Sequence, residues 1–223
     1  MTDDLAMPAE TQTGLRFQNV HIARGGEPLI ALDAHVAPGA VLTVMGPSGV
    51  GKSTLLAYAA GFLDPVFRAS GAVLVDGTDV TRLAAHERHM GLLFQDALLF
   101  PHLSVGGNLA FALPPGLRGR AARRAAIAEA LSEVGLAGLE DRDPATLSGG
   151  QKARVALMRL LVSAPRALLL DEPFSKLDTA LRDQIRELVF AMARARGLPV
   201  LLVTHDAADA AAAGGAIIEV APA

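Results

Sequence analysis

At 223 residues, the chain has room for one compact α/β domain with a large core and none for a second catalytic module. The absence of cysteine excludes a disulfide framework and suits a reducing compartment. A formal net charge of −3 offers no electrostatic footprint for nucleic acid, and no stretch reaches the roughly 18 to 20 apolar residues of a membrane helix.

Met1 to Gly14 carries acids, threonines and Pro8 with no basic n-region or apolar h-region; it is expected to be a flexible tail, not a signal peptide. Leu15 to Ile22 alternates as a half-buried strand, Arg24 to Glu27 turns it, and Leu29 to Val36 returns. After Pro38-Gly39, the apolar run Val41 to Met45 leads into Gly46-Pro47-Ser48-Gly49-Val50-Gly51-Lys52-Ser53-Thr54. That string fits G-x-x-x-x-G-K-[ST] between a strand and a helix, the pattern of a phosphate loop. A nucleotide's polyphosphate needs backbone N–H groups, a cation and a metal to replace its water. The glycines let the main chain approach it, Lys52 reaches its β- and γ-phosphates, and the Ser53 hydroxyl is suited to Mg²⁺.

Gly71 to Thr78 adds a strand closing on the Asp76-Gly77 turn. His86 and His89, three apart, would share a face if helical, but no further ligand supports a metal site and a solvated face is expected. Leu92 to Phe94 ends in Gln95, and Asp96 to Pro115 then carries one formal charge. Most of those side chains should fill a local core, yet prolines and glycines interrupt the segment, so an apolar groove is expected to remain exposed. The basic clusters at Arg118, Arg120, Arg123 and Arg124 read as a solvated helix edge.

Leu147-Ser148-Gly149-Gly150-Gln151 precedes a helix-compatible run. A serine and two glycines at a helix N-terminus make a second anion cradle, or simply a serine cap with a glycine turn. Ala167 to Leu170 reads as a strand buried on both faces that ends in Asp171-Glu172. At that carboxyl end Asp171 would hold Mg²⁺ and Glu172 would polarise the attacking water as general base. The alternative, an acidic pair capping the next helix, sits poorly with Pro173 following at once. Asp178 precedes Thr179-Ala180-Leu181 and suits a helix N-cap. Val200 to Thr204 is another buried strand, ending in His205; a lone histidine there is more often structural. Asp206 to Ala213 is helix-prone, stopped by Gly214-Gly215, and Ile217 to Val220 is a last short strand.

Taken together, the phosphate loop, Gln95, Leu147 to Gln151, Leu168 to Pro173 and His205, in that order, resemble the ATP-binding cassette (ABC) family. The resemblance implies an α/β fold: a phosphate-loop, RecA-like, mainly parallel sheet with a small antiparallel β layer and an inserted helical subdomain. It divides residues 15–223, a single ATPase domain, into a nucleotide core of about 15–95 and 160–223 and a helical subdomain of about 96–159. It also implies a head-to-tail dimer, in which Ser148, Gly149, Gly150 and Gln151 of one copy cover ATP held on the other copy's Lys52. In the same way Gln95 would touch Mg²⁺ or the lytic water, Asp178 would lie in the segment crossing the dimer interface, and His205 would bond the γ-phosphate and orient Glu172. Where the family places an adenine-stacking aromatic, this chain has Arg24, whose guanidinium can stack on a base instead.

The groove after Gln95 would receive a cytoplasmic helix of a transmembrane permease at the inner face of the cell membrane. The wording Leu99 to Val105 looks most like bacterial importers of small solutes or ions, which work with a solute-binding protein. Export or lipoprotein-release cassettes are also short separate chains. A soluble cassette would be expected to show a tandem copy, a coiled-coil insertion or a basic face. The chain stops soon after Val220, so no regulatory appendage is expected.

Overall fold

Two sheets of different character meet beside the phosphate loop. The computed structural model describes residues 13–220, so most of the expected tail and Ala221 to Ala223 lie outside the described residues. Gly14, assigned above to the tail, is instead anchored: its N–H donates to Asp76 Oδ1 at 2.8 Å and its carbonyl accepts from Asp76 N–H at 2.8 Å.

The first sheet is antiparallel, built from β1 (Leu15–Arg24), β2 (Glu27–Val36), β4 (Phe67–Val75) and β5 (Thr78–Asp79) in the order β2-β1-β4-β5. Two tight turns close it. Gly25 and Gly26 have φ of 59° and 92° between the paired Arg24 and Glu27, and Asp76 and Gly77 have φ of 47° and 76° between Val75 and Thr78. Paired positive φ values match the right-handed twist of the flanking strands. The alternation expected for β1 breaks once, at a bulge near Asn19, whose φ is 46° and whose N–H donates to Asp33 Oδ2 at 2.9 Å. β4 starts four residues before the expected Gly71, because Phe67 to Ser70 continue the pairing with Arg24 to His21.

The second sheet is wholly parallel: β3 (Val41–Met45), β6 (Met90–Leu93), β7 (Ala167–Asp171), β8 (Val200–Thr204) and β9 (Ala216–Glu219), in the order β6-β7-β8-β3-β9. Its central strands have both faces covered, which explains their unbroken apolar runs. Leu168, Leu170, Val200 and Leu202 enter one core, together with α2 (Val105–Ala112), α3 (Arg120–Glu133), α4 (Gly149–Leu161) and α5 (Thr179–Ala195). Ala167, Leu169, Leu201 and Val203 enter the other, with α1 (Lys52–Ala60) and the antiparallel sheet. Each buried leucine in these strands is worth about 1.5–3 kcal/mol of burial. A short α6 (Ala207–Ala213), capped by Asp206, precedes β9.

Two expectations change. His86 and His89 do not share a helix face: only Ala85–Glu87 forms a 3-10 turn, and His89 follows it with φ of 52°. Among the described residues no group of three or more candidate ligands converges on a metal site. The basic cluster is not wholly solvated either, since Arg123 donates from Nη2 to Ala110 O at 2.6 Å and so caps the carbonyl end of α2.

Candidate active site

β3 delivers the phosphate loop at the carboxyl edge of the parallel sheet, and α1 leaves it. Two contacts explain glycine in that loop. A Cβ on Gly51 (φ 93°) would lie 2.6 Å from Leu29 Cγ, and one on Gly46 would lie 2.4 Å from Val220 O. The loop is therefore pressed between β2 and the chain just after β9. Lys52 is buried and turns back across it, donating from Nζ to Gly46 O at 2.7 Å and to Pro47 O at 2.8 Å. Its ammonium thus waits on two carbonyl dipoles at the mouth of the loop. Pro47, Ser48 and Gly49 are exposed and Thr54 half-buried.

Asp171 and Glu172 follow from β7, next but one to β3 in the sheet. Ser53 Oγ donates to Asp171 Oδ1 at 3.1 Å, so a hydroxyl and a carboxylate from distant segments converge. Burial pushes the Asp171 carboxyl above its ordinary range; the Ser53 hydrogen bond and Lys52 counter this, and the Glu172 charge adds to it. Glu172 takes a left-handed backbone, φ 46°, fixed by its N–H to Val203 O at 2.9 Å and by Ser175 Oγ donating to its carbonyl at 2.8 Å. Such a conformation costs a non-glycine residue about 1 kcal/mol or more and persists where surrounding bonds over-determine it. His205, just after β8, places Nδ1 3.1 Å from Glu172 Oε1.

Gln95 leaves the sheet two residues after β6, which pairs with β7 through Leu93 and Leu170. It is exposed and lines a cleft with Gly149, Lys152 and Lys176. Ser148 caps α4: its Oγ accepts from Gln151 N–H at 3.3 Å, while Gln151 Oε1 accepts from Ser148 N–H at 2.9 Å. Asp178 caps α5, accepting from Leu181 N–H at 3.1 Å. Lys52, Ser53, Asp171, Glu172 and His205 are thus brought to one sheet edge. Among the described residues no side-chain hydrogen bond joins the Ser148 to Gln151 turn to them.

Sequence reasoning missed Phe67 and Arg88 near this site. Arg24 does not stand alone at the end of β1, because its guanidinium carbon lies 6.0 Å from the ring centre of its cross-strand neighbour Phe67. Arg88 is buried and donates to Tyr58 O and Ala59 O, both at 2.8 Å, to Leu83 O at 3.0 Å and to Thr81 O. It caps the carbonyl end of the phosphate-loop helix, where a cation is favoured. Only its partners identify it, and those lie up to 30 positions away.

The segment after Gln95 forms a groove of about 270 Å³ lined by Phe94, Leu98, Phe100, Phe111, Arg159 and Leu160. Leu98 and Phe111 are exposed at 56% and 71%. Polar side chains tie down much of the loop before α2. Asn108, wholly buried, bonds Phe100 N–H and the carbonyls of Phe100, Leu103 and Ser104, and Arg159 holds Leu98 O at 2.8 Å.

A phosphate-loop turn, a strand-end carboxylate pair with a facing histidine, and a serine-capped glycine turn on α4 are the site features of a cassette-type nucleotide hydrolase. The ABC transporter family model matches residues 29–175. The chain is 52% identical over 174 residues to the uncharacterized ABC transporter ATP-binding protein YnjD of Escherichia coli K12, covering 78% of this chain and 80% of the relative. It is 49% identical over 189 residues to the thiamine import ATP-binding protein ThiQ of Cereibacter sphaeroides, covering 85% and 80%. To the Fe(3+) ions import ATP-binding protein FbpC of Rhizobium etli it is 42% identical over 203 residues, covering 91% of this chain and 57% of that longer relative. The chain belongs to the ABC transporter family, as an ATP-binding subunit with ATPase activity. No helix among the described residues is long and apolar enough to cross a membrane.

Proposed function

We propose that the protein powers a bacterial importer of a small solute or ion, closing as a head-to-tail dimer on ATP and passing that closure to a separate permease at the inner face of the cell membrane. Import of thiamine and of Fe(3+) by named relatives supports the direction. The division into a nucleotide core (15–95, 160–223) and a helical subdomain (96–159) belongs to the same reading.

The observation that carries the proposal is Gly149. A Cβ there would meet nothing within 4 Å, whereas one on Gly150 would lie 2.5 Å from Leu181. Gly150 is packed against Leu181 inside the chain; Gly149 has no such neighbour, and close approach of a ligand from a second copy supplies a reason for it. In this reading Gly46 to Thr54 wrap the phosphates, Lys52 swings from its two carbonyls to the β- and γ-phosphates, and Arg24 on Phe67 carries the base. Ser148 to Gln151 and Asp178 complete the site across the dimer.

The convergence of Ser53 Oγ with Asp171 Oδ1, beside the further negative charge of Glu172, fits a hard divalent cation, to which Gln95 would add a further oxygen. Bound Mg²⁺ would neutralise charge on the phosphate oxygens. Glu172 polarises the attacking water, and His205 holds Glu172 in place. ATP touching both copies favours the closed state by its differential affinity, and hydrolysis withdraws that bridge. The exposed groove at Leu98 and Phe111 is the surface that meets the permease, which, with a solute-binding protein, chooses the substrate.

The test is affinity purification of tagged Glu172→Gln protein from detergent-solubilised membranes with and without ATP. Recovery of a multi-span permease beside a solute-binding protein is expected. Recovery of only soluble partners, or of an export permease, would refute import.

A further inference from the structure

Glu172 and His205 meet through one contact between the ends of two strands, and His205 is more than half exposed. The β7–β8 ladder, ending in Glu172 N–H to Val203 O at 2.9 Å, sets the distance between the strand ends, but the segments that continue from them leave the sheet. The segment after Glu172 runs through Ser175 to the α5 cap Asp178, and the one after His205 begins the α6 cap at Asp206. A single guanidinium on α5 spans the two. Arg182 donates from Nη2 to Leu177 O at 3.1 Å and Ser175 O at 3.4 Å, and from Nη1 to Asp206 Oδ2 at 3.0 Å. Each segment is tied onward to the reacting pair. Ser175 Oγ bonds the Glu172 carbonyl, and Asp206 N–H donates to Thr204 Oγ1 at 3.0 Å, with His205 between them.

We propose that Arg182 is a positioning residue for hydrolysis, a clamp that steadies Glu172 against His205 by joining the Ser175–Leu177 segment to Asp206. The inference rests on the proposed roles of Glu172 and His205. Three features favour positioning over simple stability. The clamp is part-exposed, Arg182 and Asp206 being 27% and 29% accessible, whereas the neighbouring Arg186–Asp209 pair, at 8% and 4%, is buried in the manner of a structural pair. Asp206 divides its oxygens: Oδ1 accepts from Ala208 N–H at 2.7 Å to cap α6, leaving Oδ2 for Arg182. A planar fork can also hold carbonyls on one side and a carboxylate on the other, which an ammonium on a flexible stem cannot reproduce.

The experiment is steady-state ATP hydrolysis by the full chain, with ATP analogue binding measured in parallel. Arg182→Gln is expected to lower kcat by about 10- to 100-fold, the effect of an ångström-scale misplacement at a reacting group. Its KM and analogue affinity should stay within about twofold, because the phosphate loop is untouched. Arg182→Lys should recover part of kcat. Asp206→Asn retains the α6 cap and tests the clamp even if Arg182→Gln folds poorly; it should fall in the same direction, and the double variant should fall no further than the worse single one. Unchanged kcat in Arg182→Gln and Asp206→Asn, with Glu172→Gln and His205→Ala both impaired, would overturn the clamp alone. So would a kcat loss matched by lost analogue affinity, the mark of general loosening. Full activity in Glu172→Gln or His205→Ala would instead overturn the site reading on which the clamp depends.

Discussion

The adjacent glycines of the α4 cap offer a matched pair of substitutions whose effects should separate. In Gly150→Ala the new methyl falls 2.5 Å from Leu181 Cδ1 and 2.9 Å from Cδ2, so the leucine must leave its rotamer or α4 must shift from α5. Overpacking costs about 1–3 kcal/mol; a helix-propensity gain of up to about 1 kcal/mol and rotation of the half-buried Leu181 offset the lower part of that range, leaving a net cost of up to about 3 kcal/mol. For a domain of this size each kcal/mol of net cost is a fall of roughly 2–4 °C in melting temperature. In Gly149→Ala the methyl meets nothing and the residue already has helical backbone, so stability should hold, or rise by up to about 1 kcal/mol through helix propensity. The functional order is the reverse: Gly149→Ala places a methyl where a second copy's phosphates would approach. Thermal unfolding without nucleotide reads the first effect, and ATP-dependent dimerisation in a Glu172→Gln background, by sedimentation, reads the second. If Gly149→Ala dimerises on ATP with unchanged affinity, the shared-site reasoning fails. If Gly150→Ala melts no lower than Gly149→Ala, the packing account fails.

Further outcomes follow from the same geometry. Arg88→Met leaves the carbonyls of Tyr58, Ala59, Thr81 and Leu83 without their donor and should destabilise the fold by about 2–4 kcal/mol, read from urea unfolding; a change under about 0.5 kcal/mol would contradict its capping role. Asp171→Asn should raise the melting temperature at neutral pH while suppressing hydrolysis. Because burial raises this carboxyl in the folded state, its ionised form opposes folding, and the gap between variant and wild type should close as pH falls toward the ordinary carboxylate range near 4; a gap that widens on acidification would refute this. Arg24→Ala should raise KM for ATP roughly fivefold if its guanidinium, braced on Phe67, contributes about 1 kcal/mol of stacking, and an unchanged KM would remove it from the base site.

What the sequence made legible was local. The phosphate loop, the buried run Leu168 to Leu170 and the turns at Gly25-Gly26 and Asp76-Gly77 each carry their own steric or hydrophobic signature within a few residues. Family resemblance placed Gln95, Ser148 to Gln151 and His205, which spacing alone leaves open. Lost to reading were residues whose meaning lies in distant partners: Arg88 under the end of α1, Phe67 beside Arg24, Asn108 pinning the loop before α2, and Arg182 between the segments that follow Glu172 and His205. An arginine in a helical run looks like a solvated charge until its carbonyl partners are known. The start of β4 was missed for a related reason, since Arg68 and Ser70 are polar and only pairing with β1 makes them a strand.

The order β6-β7-β8-β3-β9 also governs how the protein is made. β3 carries the phosphate loop, yet both of its neighbours come late: Val41 pairs with Val200 and Leu42 with Ala216. The β1–β2 hairpin can close as soon as it emerges from the ribosome. The four apolar residues of β3, however, have no strand to join until β8 is synthesised. At about 5–20 residues per second that wait is on the order of 10–30 seconds. Through that interval an unpaired hydrophobic edge is open to misassociation. The nascent chain should therefore depend on chaperones until β8 is released, and a ribosome-stalled fragment ending before Val200 should aggregate or remain chaperone-bound.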